Sequence, residues 1–108
     1  MTKIISTPPP QPLVDFLKKK RGLPEVVITD LMAHNIMTIN QVAALTGQSL
    51  SAINSLIRPR YKKEETYTVL TPCYPFPEMV LETGEPDEGR VFILRDEKFY
   101  QYLQRKLG

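Results

Sequence analysis

The sequence predicts a mainly α-helical domain with a small antiparallel β hairpin. Three observations point there. Apolar residues recur at helical spacing through the first half and again near the C-terminus; helix start and stop signals bracket those stretches; and strand-like alternation with turn residues is confined to about 66–95. A chain of 108 residues supports one core, which buries roughly two-thirds of the surface exposed on unfolding. Residues 13–108 are therefore read as a single domain, preceded by a proline-rich flexible leader over 1–12.

Within the leader, Thr7-Pro8-Pro9-Pro10-Gln11-Pro12 is an extended polyproline spacer, because each proline fixes its own φ and disfavours helix in its predecessor. Leu13–Arg21 forms a short helix with Leu13, Phe16 and Leu17 on one stripe, a basic last turn and Gly22 as its stop. A second helix opens with Pro24 in its first turn and runs to about His34, placing Val27, Ile28, Leu31 and Met32 on one face. Asn35 is its expected left-handed cap, and His34 in the last turn suits the negative helix end.

Thr38-Ile39-Asn40-Gln41 spells a capping box, after which Ile39, Val42 and Leu45 recur at helical spacing. Gly47 breaks the pattern where a tight turn calls for positive φ, Ser49 caps a second short helix through Ile57, and Pro59 ends it. Beyond that point Thr66–Leu70 alternates like a strand, while Pro72, Pro75 and Pro77 hold their stretch of chain at a sheet edge or in irregular structure. Glu78–Thr83 and Arg90–Leu94 are the expected hairpin arms, joined by the turn-rich 84–89. Asp96 caps a last helix, about 97–107, whose Phe99, Leu103 and Leu107 face the core. The expected core is Val27, Leu31, Val42, Leu45, Ile53, Leu56, Phe92, Phe99 and Leu103.

Composition narrows the function classes. No apolar run approaches the roughly 20 residues of a membrane-spanning helix, so no membrane partner is expected and the predicted location is cytoplasmic. One cysteine, Cys73, and one histidine, His34, give neither an intrachain disulfide nor a zinc-ligand pattern, so no metal or cofactor is expected. There is no phosphate-binding glycine loop and no nucleophile–base pair at a suggestive spacing, which argues against an enzyme. The net charge of +2 hides a division: residues 1–63 hold nine bases against three acids, and residues 64–108 five bases against nine acids. The basic half is the one suited to a polyanion.

Residues 39–58 contain what two closely packed helices need: Ala43 is small enough for close approach, Gly47 makes the turn, and Val42, Leu45, Ile53 and Leu56 lock the helices together. On these residues the stretch INQVAALTGQSLSAINSLI resembles helix-turn-helix DNA-binding domains. GRVFILRDEKFYQYL resembles the wing strand and following helix of excisionase and MerR-type winged domains, so the resemblance implies a winged helix-turn-helix whose second short helix enters a DNA major groove. With Leu50, Ile53, Leu56 and Ile57 inward, the candidate DNA contacts are Gln48, Ser49, Ser51, Asn54, Ser55 and Arg58, followed by the cations Arg60, Lys62 and Lys63. Asn54 suits adenine and Arg58 guanine or phosphate; the three later cations suit the backbone or the adjoining minor groove.

The expected function is sequence-preferring binding of double-stranded DNA in transcriptional or mobile-element and phage control, as a homo-oligomer on paired sites. Glu78, Glu82, Glu85, Asp87 and Glu88 make the expected wing acidic, which points it away from phosphates and toward packing, dimerisation or contact with a basic protein partner. The alternative is a structural or protein-binding module using the same trihelical core without DNA readout.

Overall fold

A computed structural model describes residues 5–73 and 91–108. In chain order its elements are α1 (Gln11–Arg21), α2 (Glu25–Leu31), β1 (Ile36–Met37), α3 (Ile39–Thr46), α4 (Leu50–Ile57), β2 (Arg60–Lys62), β3 (Glu65–Tyr67), β4 (Pro72–Cys73), β5 (Phe92–Leu94) and α5 (Glu97–Leu107). The architecture is thus mainly helical with small antiparallel sheets, the coarse class expected. No helix among the described residues is long and apolar enough to cross a membrane.

Local chemistry accounts for most boundaries. The α3 capping box is complete: Gln41 N–H donates to Thr38 Oγ1 at 3.0 Å, and Thr38 N–H donates to Gln41 Oε1 at 3.0 Å. Ser49 and Asp96 accept from Ala52 and Phe99 N–H at the starts of α4 and α5. Gly22 and Gly47 close α1 and α3 in the left-handed region, at φ 67 and 74. Arg58 is extended after α4, as a residue preceding proline must be.

Several expectations need correction. The helix expected to reach His34 ends at Leu31, and Asn35 is not left-handed, since Lys63 is the one non-glycine with positive φ among the described residues. The cause is β1, whose extended backbone begins one residue later. Asn35 N–H donates to Ile5 O at 3.0 Å and Ile5 N–H to Asn35 Oδ1 at 2.8 Å. Residues 5–7, part of the stretch read as a flexible leader, are consequently tied to 33–35, with Thr7 N–H on Ala33 O at 2.9 Å. Helix α1 starts at Gln11 with Pro12 in its first turn, where a missing N–H costs nothing.

The core gathers Val14 and Leu17 of α1, Ile28 and Met32, Met37, Val42 and Leu45, Ile53, Leu70, Ile93, and Phe99, Tyr102 and Leu103 of α5. Leu31 and Leu56 pack partly buried against it, and Phe92 belongs to a smaller cluster with Ile36. Val27 is the core expectation that fails: it is 38% exposed, beside Val26 at 66%. A helix of this length turns one narrow stripe inward, and Ile28 with Met32 fills it.

Strand order in the larger sheet is β1-β5-β4, all antiparallel, with Ile36 opposite Leu94, Met37 opposite Ile93 and Cys73 opposite Phe92. Pro72 sits in an edge strand, where a missing donor is tolerated. Of the hairpin expected in 66–95, the second arm appears over Phe92–Leu94 as β5, paired with β1 and β4. The 78–83 arm and the acidic 84–89 turn lie outside the described residues. The described hairpin is elsewhere: β2 and β3 pair through Tyr61 opposite Thr66, joined by Lys63 and Glu64. The strand expected at 66–70 is therefore displaced to Glu65–Tyr67, and Val69 and Leu70 instead donate their N–H groups to Leu56 O, both at 3.1 Å.

Candidate nucleic-acid interface

Helices α3 and α4 are held at a fixed turn by three devices. Gly47 supplies the left-handed residue; Ser49 caps α4; and Arg21, from the end of α1, lays its guanidinium over the turn. Arg21 Nε–H donates to Leu45 O at 3.1 Å, one of the carbonyls that α3 leaves without a helical partner. A Cβ on Gly47 would lie 2.9 Å from Arg21 Cζ, so a side chain there would have to displace the end of Arg21 as well as adopt a positive φ. Arg21 thus leaves the basic run Lys18–Arg21 to do structural work, while Lys18, Lys19 and Lys20 are exposed.

On α4, Ile53 is fully buried and Leu56 and Ile57 are partly buried against the core. The opposite side carries Ser51, Ser55 and Arg58, all exposed, with Asn54 and Gln48 half-buried at its margins. Two serines are partly committed to the helix: Ser49 Oγ accepts from Ala52 N–H at 3.1 Å, and Ser55 Oγ–H donates to Ala52 O at 2.7 Å. Among the described residues the side chains of Gln48, Ser51, Asn54, Arg58, Lys62 and Lys63 make no hydrogen bond or ion pair, so their polar groups are available to a ligand. Arg60 reaches back, Nη2 donating to Ser55 O at 3.4 Å.

The inward assignment of Leu50 is corrected: it is 49% exposed at the N-terminal end of α4. As the first helical residue after the Ser49 cap, it precedes the turn whose side chains contact α3. Sequence reasoning also passed over two aromatic residues next to the cationic run, Tyr61 at 78% and Tyr67 at 43% exposure. A polar strand with no buried face gives no apolar alternation to read, so only the run of basic residues signalled this segment. No group of three or more His, Cys, Asp or Glu among the described residues is arranged to hold a metal ion.

No known protein family, no curated protein and no solved structure matches the chain.

Proposed function

We propose that this chain is a non-enzymatic binder of double-stranded DNA, built as a winged helix-turn-helix with α4 as the recognition helix. The observation that carries the reading is the set of unengaged polar side chains on α4, Ser51, Asn54 and Arg58, running directly into the cations Arg60, Lys62 and Lys63. Short polar groups on an exposed helix face read base edges, and cations flanking them neutralise phosphates. The mainly helical architecture with small antiparallel sheets is compatible with that reading. Leu50 adds an apolar contact suited to a thymine methyl.

A recognition helix of eight residues offers few base contacts, so the working species is a homo-oligomer on paired sites. The exposed Val26 and Val27 on α2 are candidates for its subunit contact.

The test is selection of bound sequences from a random duplex pool, followed by comparison of wild type with Asn54→Ala on selected and random DNA. The variant should lose about 1–3 kcal/mol on the selected sequence and little on random DNA. Equal losses on both remove Asn54 from base readout. No duplex-dependent signal even in dilute buffer ends the DNA reading.

A further inference from the structure

We propose that α5 and the segment 67–69 form a docking trough for the acidic stretch 78–82 of a second copy of this chain. The inference rests on the homo-oligomer of the proposed function and names a contact surface for it; it uses none of the DNA contacts.

The trough consists of two open hollows, of about 220 Å³ and 260 Å³, both lined by Val69 and Arg105, where they meet. Lys98 belongs to the first hollow alone and Lys106 to the second alone, so cations stand toward both ends with Val69 at the junction. Tyr67 and Tyr102 add a ring to each. Along the axis of α5, Lys98 and Lys106 are eight residues apart, about 12 Å. All three cations are exposed, and none has an acidic partner among the described residues. Lys98 Nζ–H donates to Thr68 O at 3.5 Å, which holds it beside the first hollow. A surface of this kind takes a carboxylate at each end and an apolar group between them.

The chain carries that pattern itself. Residues 74–90 hold five acids and one base, and the stretch 78–82 reads Glu-Met-Val-Leu-Glu. On an extended backbone Glu78, Val80 and Glu82 fall on one side, with the two acidic positions about 13 Å apart. Laid along the trough, Val80 meets Val69 while the carboxylates reach Lys98 and the Arg105–Lys106 pair. A duplex backbone matches less well, because it offers phosphates with no apolar group between them. The source is a second copy: Pro75 and Pro77 disfavour helical backbone in the residues before them, which opposes an immediate reversal from β4 onto the chain's own Val69.

Sedimentation equilibrium of the full chain without DNA tests this. Wild type should self-associate, at least about threefold more weakly in about 0.5 M salt than in about 0.05 M. Lys98→Glu with Lys106→Glu should weaken association at least about tenfold, as should Glu78→Lys with Glu82→Lys. Mixed in equal amounts, these two double variants should associate with each other to within about threefold of wild type, because every trough then meets a segment of opposite charge. Val80→Asp should weaken association about tenfold. Recovery in the mixture shows that the variants are folded and that the contact runs between chains. A wild type that stays monomeric at every concentration overturns the inference, as does a mixture no stronger than its components, the result expected if the segment lies on its own chain. If the trough variant associates like wild type but loses duplex affinity, the trough is a DNA surface and the inference falls. Duplex selection decides the α4 reading separately, so this contact can fail while DNA binding stands.

Discussion

Gly22 and Gly47 end α1 and α3 with nearly the same backbone, yet they are not equivalent positions. A Cβ at Gly22 would meet nothing within 4 Å, whereas one at Gly47 would strike the Arg21 guanidinium. Gly22→Ala should therefore cost only the left-handed penalty, about 1–2 kcal/mol. Gly47→Ala should cost about 1 kcal/mol more, because Arg21 must abandon Leu45 O. Urea denaturation checks this, and in an Arg21→Ala background the two glycine substitutions should become equal. Tyr102 makes the opposite case. Its hydroxyl is buried with no hydrogen-bond partner among the described residues, and burial pushes its pKa above the ordinary value near 10. Phenol ionisation is thus easier in the unfolded chain. The stability held below pH 10 is lost as pH rises through that value toward the folded pKa. Tyr102→Phe should be at least as stable as wild type at pH 7 and should lose less stability above pH 10, measured by urea midpoints across pH.

Among the elements, Asp96 shows how a cap differs from a cap that also joins two parts of the fold. Its Oδ1 accepts from Phe99 N–H at 3.1 Å, and its Oδ2 accepts from Thr71 Oγ1–H at 2.6 Å, linking the segment before β4 to α5. Thr38→Ala, which removes one half of a local capping box, should cost about 1 kcal/mol; Asp96→Ala should cost about 2. Asp96→Asn retains an acceptor and should fall below Asp96→Ala in calorimetric destabilisation. The first role of Asp96 was legible in sequence because an N-cap acts on residues three positions away, and for the same reason the α3, α4 and α5 starts and the Gly22 and Gly47 stops were legible. The link to Thr71 was not, since nothing local encodes a contact across 25 positions. The exposed polar face of α4 followed from apolar spacing around Ile53, but Leu50 shows the limit of spacing at a first helical turn. The β2–β3 ribbon was invisible as a strand pair because Arg60, Lys62, Glu65 and Thr66 give no apolar alternation. Its cationic character alone was readable.

At the scale of the whole molecule, the two ends of the chain meet at Arg95. Buried to 8% exposure, it donates Nη1–H to Met32 O and to His34 O at 3.0 Å, Nη2–H to Pro8 O at 3.3 Å, and Nε–H to Tyr100 Oη at 3.2 Å. One side chain thereby satisfies the carbonyls where α2 ends, holds the N-terminal segment against them, and docks α5, next to the strand that sits between β1 and β4. If the N-terminal segment is part of this clamp, deleting residues 1–9 removes the Ile5–Asn35 and Thr7–Ala33 bonds and one acceptor of Arg95. The expected loss is about 2 kcal/mol, a fall in Tm on the order of 10 °C; a mere spacer would leave Tm unchanged. Arg95→Met should cost about 3 kcal/mol by stranding buried carbonyls. Combined with the deletion it should cost less than the two losses added, with a coupling of about 1 kcal/mol, because both changes break the Pro8 contact. Strict additivity in that double-mutant cycle would show that the N-terminal segment is held by β-type pairing to 33–35 alone, and that Arg95 organises only α2 and α5.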